Sequence, residues 1–483
     1  MSTIGPSALA RVSVAAHLNI LLRICGCARL VSRKMRRQAL VPILLIVLLA
    51  VPVTGGEAAG PQRWPLPPSI RVSDFLSFDE ARARLGRKLF YDKLLSGNRN
   101  ISCGTCHNHA HAGSDGLSLG IGEGGIGLGP KRRVPNDRNH PNKRVPRNSP
   151  ALFNLGHRAI KTLFHDGRLS RSATYDSGFN SPAGTWLPIG LSGLLAAQAM
   201  LPVASEVEMA GSADENDVGA ARRERIDHVW PILAKRVAGI EDYAAQFISA
   251  FDDVEASGDI TMVHIANAVA DFVNSEWRSF DSPFDAYIGG DRSALDVTQL
   301  RGLDLFFGKA RCAGCHSGPL LSDQSFHSLA IPPFGPGRTR TFDPYVRDVG
   351  RMSETDRLSD AYRFRTPSLR NVALTGPWGH NGAYATLEGI VRHHLEPIAA
   401  LSAWDRTQLI LPESDRFAVS DFLIWDDARE IQRLERSTSI EPLVLTDDEV
   451  GALVAFLKAL TGTSSVLGRL GKPQSVPSGL PID

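Results

Sequence analysis

Hydrophobic residues in this chain recur mainly at the three- and four-residue spacing of amphipathic helices. In residues 78–93, Leu85, Leu89 and Phe90 fall on one helical face, and residues 259–277 show the same spacing. The pattern predicts further helices over three more segments: 296–307, 388–394 and 447–460. Alternating patterns typical of strands are few, so the predicted fold class is mainly α, with long loops.

The most apolar stretch of the chain, residues 39–53, lies near the N-terminus and follows a basic cluster at residues 34–37. A charged start, a short apolar core and a small-residue exit are typical of a secretory signal. Residues 1–59 are therefore predicted to be a leader with a signal peptide, for which Met35 would be a natural start. The apolar run is short for a membrane-spanning helix, and an uncleaved membrane anchor stays an alternative.

The segments that flank the helical region show little hydrophobic periodicity. Residues 60–77 are rich in proline and predict an extended lead-in, while residues 466–483 predict a disordered tail. The formal charge of the whole chain is +2, and it falls to about −4 without residues 1–59, which hold seven Lys/Arg and one Glu. No basic patch remains, so the sequence does not favour a nucleic-acid partner.

Two five-residue motifs carry the most specific chemistry: Cys-Gly-Thr-Cys-His at 103–107 and Cys-Ala-Gly-Cys-His at 312–316. C-x-x-C-H is the attachment signature of c-type haem, in which two thiols bond to one porphyrin and the histidine binds its iron. A redox C-x-x-C would need a βαβ setting and a zinc site a second Cys/His pair, and neither is found nearby. The other cysteines, Cys25 and Cys27, lie in the leader. The motifs predict two covalently bound haem c groups, held by Cys103, Cys106, Cys312 and Cys315, with His107 and His316 as iron ligands.

Each motif directly follows a predicted amphipathic helix, and the two helix–motif units lie about 210 residues apart. This repetition predicts a duplicated haem module, with a first haem domain over residues 78–256 and a second over residues 257–465. The glycine-rich residues 113–129 are expected to wall a pocket, because glycine allows close approach of the backbone. Haem c is attached outside the cytoplasm, which agrees with an exported, periplasmic protein.

The segment that leads into the first motif, Leu-Gly-Arg-Lys-Leu-Phe-Tyr-Asp from position 85, resembles the bacterial di-haem cytochrome c peroxidases. That family includes the MauG-type enzymes. The resemblance covers roughly residues 78–462 and continues through three further strings: Arg-Asn-Ser-Pro at 147–150, Phe-His-Asp-Gly-Arg at 164–168 and Arg-Thr-Pro-Ser-Leu-Arg-Asn at 365–371. It implies two cytochrome c-like domains, each with one haem, and an oxidoreductase that uses peroxide as its acceptor.

The resemblance also implies the catalytic residues. Gln198 and Glu208, ten positions apart, match the active-site glutamine and glutamate of the family, and Arg168 matches an arginine beside the peroxidatic haem. A glutamate over an open iron can take a proton from bound peroxide and return it to the leaving oxygen. A surface glutamate is the alternative for Glu208, and its neighbour Glu206 is expected to face solvent.

A calcium site between the domains is a further implication of the resemblance. Asn148 matches the family's calcium ligand, and Thr375 and Pro377 match positions that contribute backbone carbonyls. Hard oxygen donors completed by water suit Ca²⁺. One structural Ca²⁺ is therefore expected.

The chain departs from the family pattern at three positions that bear on the haems. Glu123 stands where many members have a distal histidine, so the first haem is expected to have an open sixth position. The second haem is expected to take His394 as its distal ligand, with His393 the next candidate and Met352 not favoured. His165 stands where the family has a tryptophan between the haems, and histidine is a poorer redox relay.

These observations favour a periplasmic enzyme that reduces hydrogen peroxide to water. A small cytochrome c or cupredoxin would deliver electrons through the second haem. A MauG-like oxidase that uses peroxide to modify residues of a protein partner is the second hypothesis. The third is a non-enzymatic electron-transfer cytochrome or peroxide sensor, which would need Glu123 or a loop histidine as a ligand of the first haem. Family members often dimerise, and a homodimer stays open.

Overall fold

The computed structural model describes residues 63–136, 140–338, 346–464 and 468–483, which belong to one compact unit. The predicted leader, with its signal peptide and the start at Met35, lies outside the described residues. None of the helices within the described residues is long and apolar enough to cross a membrane.

The predicted class, mainly α with long loops, is confirmed, and strands are few and short. The helices are α1 Glu80–Tyr91, α2 Cys103–Cys106, α3 Leu194–Ala199, α4 Asp217–Glu224, α5 Val229–Ala238, α6 Glu241–Ala250, α7 Met262–Glu276, α8 Pro283–Ile288, α9 Val297–Phe306, α10 Met352–Thr355, α11 Leu387–Leu395, α12 Pro397–Ala403, α13 Ala418–Phe422, α14 Ala428–Ser437 and α15 Asp447–Lys458. The five helical segments predicted from periodicity correspond to α1, α7, α9, α11 and α15.

Polar caps define where these helices begin. The Asp79 side chain accepts a hydrogen bond from the backbone N–H of Arg82 at the start of α1. Asp296 and Gln299 form a capping box at the start of α9, and Thr446 and Glu449 form another at the start of α15. Such caps satisfy backbone N–H groups that have no partner inside the helix.

The strands form two small antiparallel sheets. β1 Thr162–Leu163, β2 Leu169–Arg171 and β3 Phe179–Asn180 follow one another in chain order, with Leu163 opposite Leu169. β4 Phe326–His327 pairs with β5 Phe364–Arg365, and His327 lies opposite Phe364. The first sheet carries the Phe-His-Asp-Gly-Arg string in the turn between β1 and β2, so the backbone of that string is fixed at both ends.

The first hydrophobic core is built on the packing of α1 against α7. A Cβ atom on Gly86 of α1 would lie 1.9 Å from the carbonyl oxygen of Ala268 in α7. Leu85, Leu89 and Phe90 of α1 are buried in this core, as the periodicity predicted. The glycine lets the two backbones meet closely, and α2 with the first Cys-x-x-Cys-His motif follows directly.

The second core repeats this arrangement with α9 and α15. A Cβ atom on Gly302 of α9 would lie 2.0 Å from the carbonyl oxygen of Ala452 in α15. Phe306 and Phe456 pack together in this core with ring centroids 5.2 Å apart. The helix before the second motif therefore approaches its partner in the same way as the helix before the first.

The change from one core to the other falls between Phe280, which packs on the first, and Phe284, which is buried in the second. Helix α7 thus packs with the first core, although the predicted boundary at residues 256 and 257 places its sequence in the second domain. The division into two haem domains stays a prediction, and the packing favours a boundary after α7.

The prediction of a disordered tail is wrong for residues 468–483. Val476 is buried, and Leu470, Leu480 and Ile482 pack against the first core. The Arg87 guanidinium donates to the carbonyl of Gly471 at 2.9 Å. These contacts come from α1 and α7, far away in sequence, so the composition of the tail gave no sign of them.

Candidate active site

The Cys-x-x-Cys part of the first motif forms the short helix α2, and His107 is the C-cap residue at its end. Nδ1 of His107 donates to the carbonyl of Gly113 at 2.9 Å and lies 3.4 Å from Oγ of Ser149. A metal-binding histidine usually donates its other ring N–H to such a carbonyl. The arrangement leaves Nε2 of His107 for iron, and Cys103 and Cys106 are free thiols.

The second motif has the same local geometry. Nδ1 of His316 donates to the carbonyl of Leu321 at 3.1 Å, and Cys312 and Cys315 are free thiols. Both motifs therefore present two thiols and one oriented imidazole, which is the donor set that a covalently bound haem needs.

His394 in α11 lies across from His316, with ring centroids 6.4 Å apart. Two imidazoles that bind one metal from opposite sides, with bonds of about 2 Å each, have centroids about 6 Å apart. Nδ1 of His394 donates to the carbonyl of Ile390 at 2.8 Å, so Nε2 is left free. The spacing of the two rings fits one iron between them.

His393, the competing candidate, has both ring nitrogens engaged elsewhere. Nδ1 lies 2.7 Å from the hydroxyl of Tyr384, and Nε2 donates to the carbonyl of Leu329 at 2.7 Å. Met352 begins α10 and does not line the cavity that contains His316 and His394. The geometry therefore favours His394.

A cavity of about 480 Å³ lies at the second motif. Cys312, Cys315, His316 and His394 line it, together with apolar side chains that include Leu457. Binding sites for flat, apolar cofactors are typically cavities of this size, with few polar groups. The residues present therefore fit a haem.

Glu208 lies in a single turn of π-helix, Glu206–Ala210. Helix α3 ends shortly before this turn in the chain. Burial raises the pKa of Glu208, while the nearby Arg168 guanidinium and a hydrogen bond with Ser205 lower it. Burial and the charge on Asp115 raise the pKa of the Cys106 thiol, and charge on Glu208 adds to them, which puts the carboxyl within electrostatic reach of the first motif. A carboxyl with a raised pKa is a suitable group for general acid–base catalysis.

The neighbouring Glu206 is exposed, as predicted, and accepts a hydrogen bond from Oγ of Ser212 at 3.3 Å. Gln198 lies in the last turn of α3 with a half-buried side chain. One short turn, Pro202–Ala204, connects it to the π-helical turn. The two family-matched positions are thus close along one continuous segment.

The glycine-rich loop packs directly on the turn that carries Glu208. A Cβ atom on Gly122 would lie 1.8 Å from the carbonyl oxygen of Val207, so only glycine allows this approach. Arg132 holds the loop by donating to the carbonyls of Gly122 at 2.7 Å and Gly127 at 2.8 Å. These contacts hold the loop against the Glu208 turn, and its role as the wall of a pocket stays a prediction.

Glu123, at the position of the distal histidine in many family members, is held by two amides. Its Oε1 accepts hydrogen bonds from Nδ2 of Asn98 at 2.8 Å and Nδ2 of Asn100 at 2.7 Å. Its backbone N–H donates to the carbonyl of Val207 at 3.3 Å. These bonds fix Glu123 beside the Glu208 turn and satisfy one of its carboxylate oxygens.

Arg168 belongs to a buried cluster centred on Asp166, whose role the sequence did not reveal. The Asp166 carboxylate forms ion pairs with three arginines: Arg147 at 2.7 Å, Arg168 at 3.3 Å and Arg338 at 2.9 Å. Burial raises the pKa of Asp166, but the three guanidinium groups hold it well below its usual range. Asp166 therefore fixes Arg168 near Glu208 and links it to Arg338, from the other half of the chain.

His165 lines the same cavity as His316, and its place between the haems stays a prediction. Its Nε2 donates to the carbonyl of Asn148 at 3.1 Å, and burial, with the nearby Arg147, lowers its pKa to about 4. Beside it, the rings of Phe364 and His380 stack with centroids 3.5 Å apart. The sequence did not point to this stacked pair, because Phe364 lies in β5 and His380 in a later loop.

The predicted calcium ligands lie on the wall of the same cavity: Asn148, Thr375 and Pro377. The Asn148 side chain donates from Nδ2 to the carbonyl of Leu117 at 2.7 Å, which leaves its amide oxygen as a donor atom for a metal. All three residues line this cavity, and both the site and the metal stay predictions.

Residues 80–293 match the family model described as di-haem cytochrome c peroxidase. The methylamine utilization protein MauG of Methylorubrum extorquens is 28% identical over 74% of this chain and 87% of its own length. The cytochrome c551 peroxidase of Pseudomonas aeruginosa is 29% identical over 74% of this chain and 85% of its own length. A solved MauG-like protein associated with microbial copper homeostasis is 27% identical, with a TM-score of 0.54, and covers 85% of this chain and 96% of its own.

Proposed function

We propose that this chain, whose residues 80–293 match the di-haem cytochrome c peroxidase family model and which is similar to MauG and to cytochrome c551 peroxidase, is a periplasmic peroxidase of that family that reduces hydrogen peroxide to water. Each turnover consumes two electrons and two protons. The observation that carries the proposal is the inequality of the two motifs. His316 faces a second histidine, whereas the first motif has a half-buried carboxyl, Glu208, within electrostatic reach of Cys106.

The first motif is the proposed site of peroxide reduction. Haem bound through Cys103 and Cys106, with His107 on its iron, would supply the centre at which peroxide binds and is reduced. Glu208 takes a proton from the oxygen that binds and returns it to the oxygen that leaves. Arg168, held by Asp166, keeps positive charge near this carboxyl and stabilises its ionised form.

The second motif is the proposed electron port. Cys312 and Cys315 would hold its haem, with His316 and His394 as the two iron ligands. Two histidine ligands give an iron without an open position, which suits electron transfer and not peroxide binding. The proposed donor is a small cytochrome c or a cupredoxin. A Ca²⁺ held by Asn148 and the carbonyls of Thr375 and Pro377 would brace the region between the two haems.

A MauG-like oxidase that modifies a protein partner with peroxide is the second candidate. Its support is the position of Glu123, which is held by Asn98 and Asn100. The first haem would then be open at rest, as in the MauG-type members. The same contacts count against Glu123 as the ligand that a purely electron-transferring cytochrome would need at the first haem, because they already engage one of its carboxylate oxygens, whereas a loop histidine stays possible for that hypothesis.

The test is steady-state peroxide turnover by the holoprotein with a reduced donor. In Glu208→Gln, we expect turnover to fall by a factor of about 100 or more, because proton transfer contributes at least this much to such reactions. Glu206→Gln, a change on the exposed side of the same turn, is the matched control and should turn over like the native protein. Unchanged turnover in Glu208→Gln would remove this residue from its role.

The same assay distinguishes the two candidates. A peroxidase consumes peroxide in proportion to oxidised donor protein. An oxidase of the second kind consumes peroxide without such a donor and leaves new oxidative modifications on its partner, which mass spectrometry detects.

A further inference from the structure

A group of aromatic and polar side chains beside the first motif has no part in the proposed mechanism. Tyr91 is the last residue of α1, and its ring lies against Gly104 between the two cysteines of the motif. A Cβ atom on Gly104 would be 2.4 Å from two carbons of the Tyr91 ring. The phenol is therefore in direct contact with the chain that would hold the first haem.

The hydroxyl of Tyr91 donates a hydrogen bond to Nδ1 of His109. The other ring nitrogen of His109, Nε2, lies 2.9 Å from Oε1 of Glu276. Burial raises the pKa of Glu276, but the hydrogen bonds from His109, Leu470 and Gly471 outweigh burial and lower it. Glu276 is thus a carboxylate that accepts the Nε2 proton of His109, which leaves Nδ1 as the acceptor for the phenol.

Trp277 completes the group. Its ring stacks on that of His109, with centroids 5.0 Å apart at an angle of 30°, and it is almost fully buried. Phe90 and Phe272 pack against Trp277 at 5.6 Å and 5.4 Å. Tyr91 and Trp277 are both almost fully buried, so a reactive species formed on either ring is shielded from solvent.

His165 stands where the resemblance places a tryptophan between the haems, and histidine is not oxidised as readily as tyrosine or tryptophan. Tyr362 and Trp378 line the cavity at the second motif. Tyr91, by contrast, touches the first motif itself, so an oxidising equivalent that waits there for a donor electron has this phenol in direct contact with the Cys-x-x-Cys turn.

We propose that Tyr91 is a redox-active residue that stores one oxidising equivalent of peroxide as a neutral tyrosyl radical. The proposal rests on the proposed function, because peroxide is the oxidant. Reduction of one peroxide to water takes two electrons, which a haem held by Cys103, Cys106 and His107 would supply. Tyr91 replaces one of them and passes its phenolic proton to Nδ1 of His109. A donor electron, with the return of that proton, restores the phenol.

The matched control for Tyr91 is Tyr243. Both phenols are buried in the first core, but the hydroxyl of Tyr243 donates to Oδ2 of Asp92 at 2.8 Å and has no histidine partner. Tyr91→Phe and Tyr243→Phe each remove one buried hydroxyl from the same core. Only the first removes the proposed radical site.

The experiment is electron spin resonance on the holoprotein, frozen within milliseconds of mixing with peroxide in the absence of donor. We expect a tyrosyl signal in the native protein and in Tyr243→Phe, and loss of that signal in Tyr91→Phe. Absorption spectra confirm that each variant carries both haems. Deuteration of the tyrosine rings in the native protein should narrow the signal, which tests the assignment even where Tyr91→Phe fails to fold.

Three results would overturn the proposal. The first is the absence of a radical signal in native protein that still consumes peroxide, which leaves the peroxidase function in place. The second is a signal that tyrosine deuteration does not alter. The third is a signal that persists in Tyr91→Phe but vanishes in Trp277→Phe, which would place the radical on the tryptophan. Failure to consume peroxide at all would overturn the proposed function together with this one.

Discussion

Two consecutive histidines in α11 differ in what they can bind because their ring nitrogens have different partners. His393 is fully buried and is held at both nitrogens, by Tyr384 and by the carbonyl of Leu329. His394 is held at one nitrogen only and faces His316. The residue type alone therefore does not distinguish the two histidines. What distinguishes a structural histidine from a metal ligand is whether one ring nitrogen is left free to bind the metal.

We therefore expect His394→Ala to convert the second haem of the oxidised protein from low spin to high spin, because one iron position loses its ligand. Absorption and spin-resonance spectra measure this change. His393→Gln is the matched control, since it should keep the low-spin spectrum. It should also lower the free energy of unfolding by about 1–3 kcal/mol through an unsatisfied buried group. An unaltered spectrum in His394→Ala would refute the assignment.

The motif cysteines and histidines could be predicted from the sequence because they are adjacent in the chain. Asp166 could not be recognised in the same way. Its partner Arg338 lies 172 positions away, and nothing local in the Phe-His-Asp-Gly-Arg string indicates that three arginines meet there. Glu208 and His394 are intermediate cases. Family resemblance made them candidates, but their contacts could be seen only in the folded chain.

At the scale of elements, a glycine in the helix before each motif sets how closely that helix meets its partner. Gly86 faces α7 and Gly302 faces α15, and in both pairs the partner's carbonyl occupies the space of a side chain. The helices themselves were predictable from periodicity. The role of the two glycines was not predictable, because a glycine inside a helix is expected only to destabilise it when the packing of the partner helix is unknown.

Gly302→Ala should lower the free energy of unfolding by about 1–3 kcal/mol, because its Cβ would overlap the Ala452 carbonyl and push α9 from α15. Gly451→Ala is the control on α15. Gly451 is exposed, and a Cβ there meets nothing within 4 Å. The control should therefore gain about 1 kcal/mol from helix propensity. Denaturant unfolding measures both, and changes of equal sign would contradict the close-packing argument.

At the scale of the whole molecule, two similar helix–motif units end in different chemical surroundings. The second motif faces His394 across an apolar cavity, while the first lies near the Glu208 turn and the glycine-rich loop. The duplication was visible in the sequence. The switch between cores after α7 and the packing of residues 468–483 on the first core were not, because both depend on contacts between distant segments.

The oxidised holoprotein should accordingly contain one high-spin and one low-spin haem. Cyanide, a small ligand of ferric iron, should convert only the high-spin haem, since the other iron has no open position. Spin-resonance spectra before and after its addition measure this. Two low-spin haems in the untreated protein would contradict an open first site and favour the electron-transfer hypothesis.

The packing of the C-terminal residues on the first core also orders events during biogenesis. Thr105, inside the first motif, donates a hydrogen bond to Asp483, and 378 positions separate the two residues. The first motif therefore leaves the ribosome long before the segment that packs against it has been synthesised. Docking of the tail on the first motif is thus a late event, because it requires that the whole chain has been synthesised.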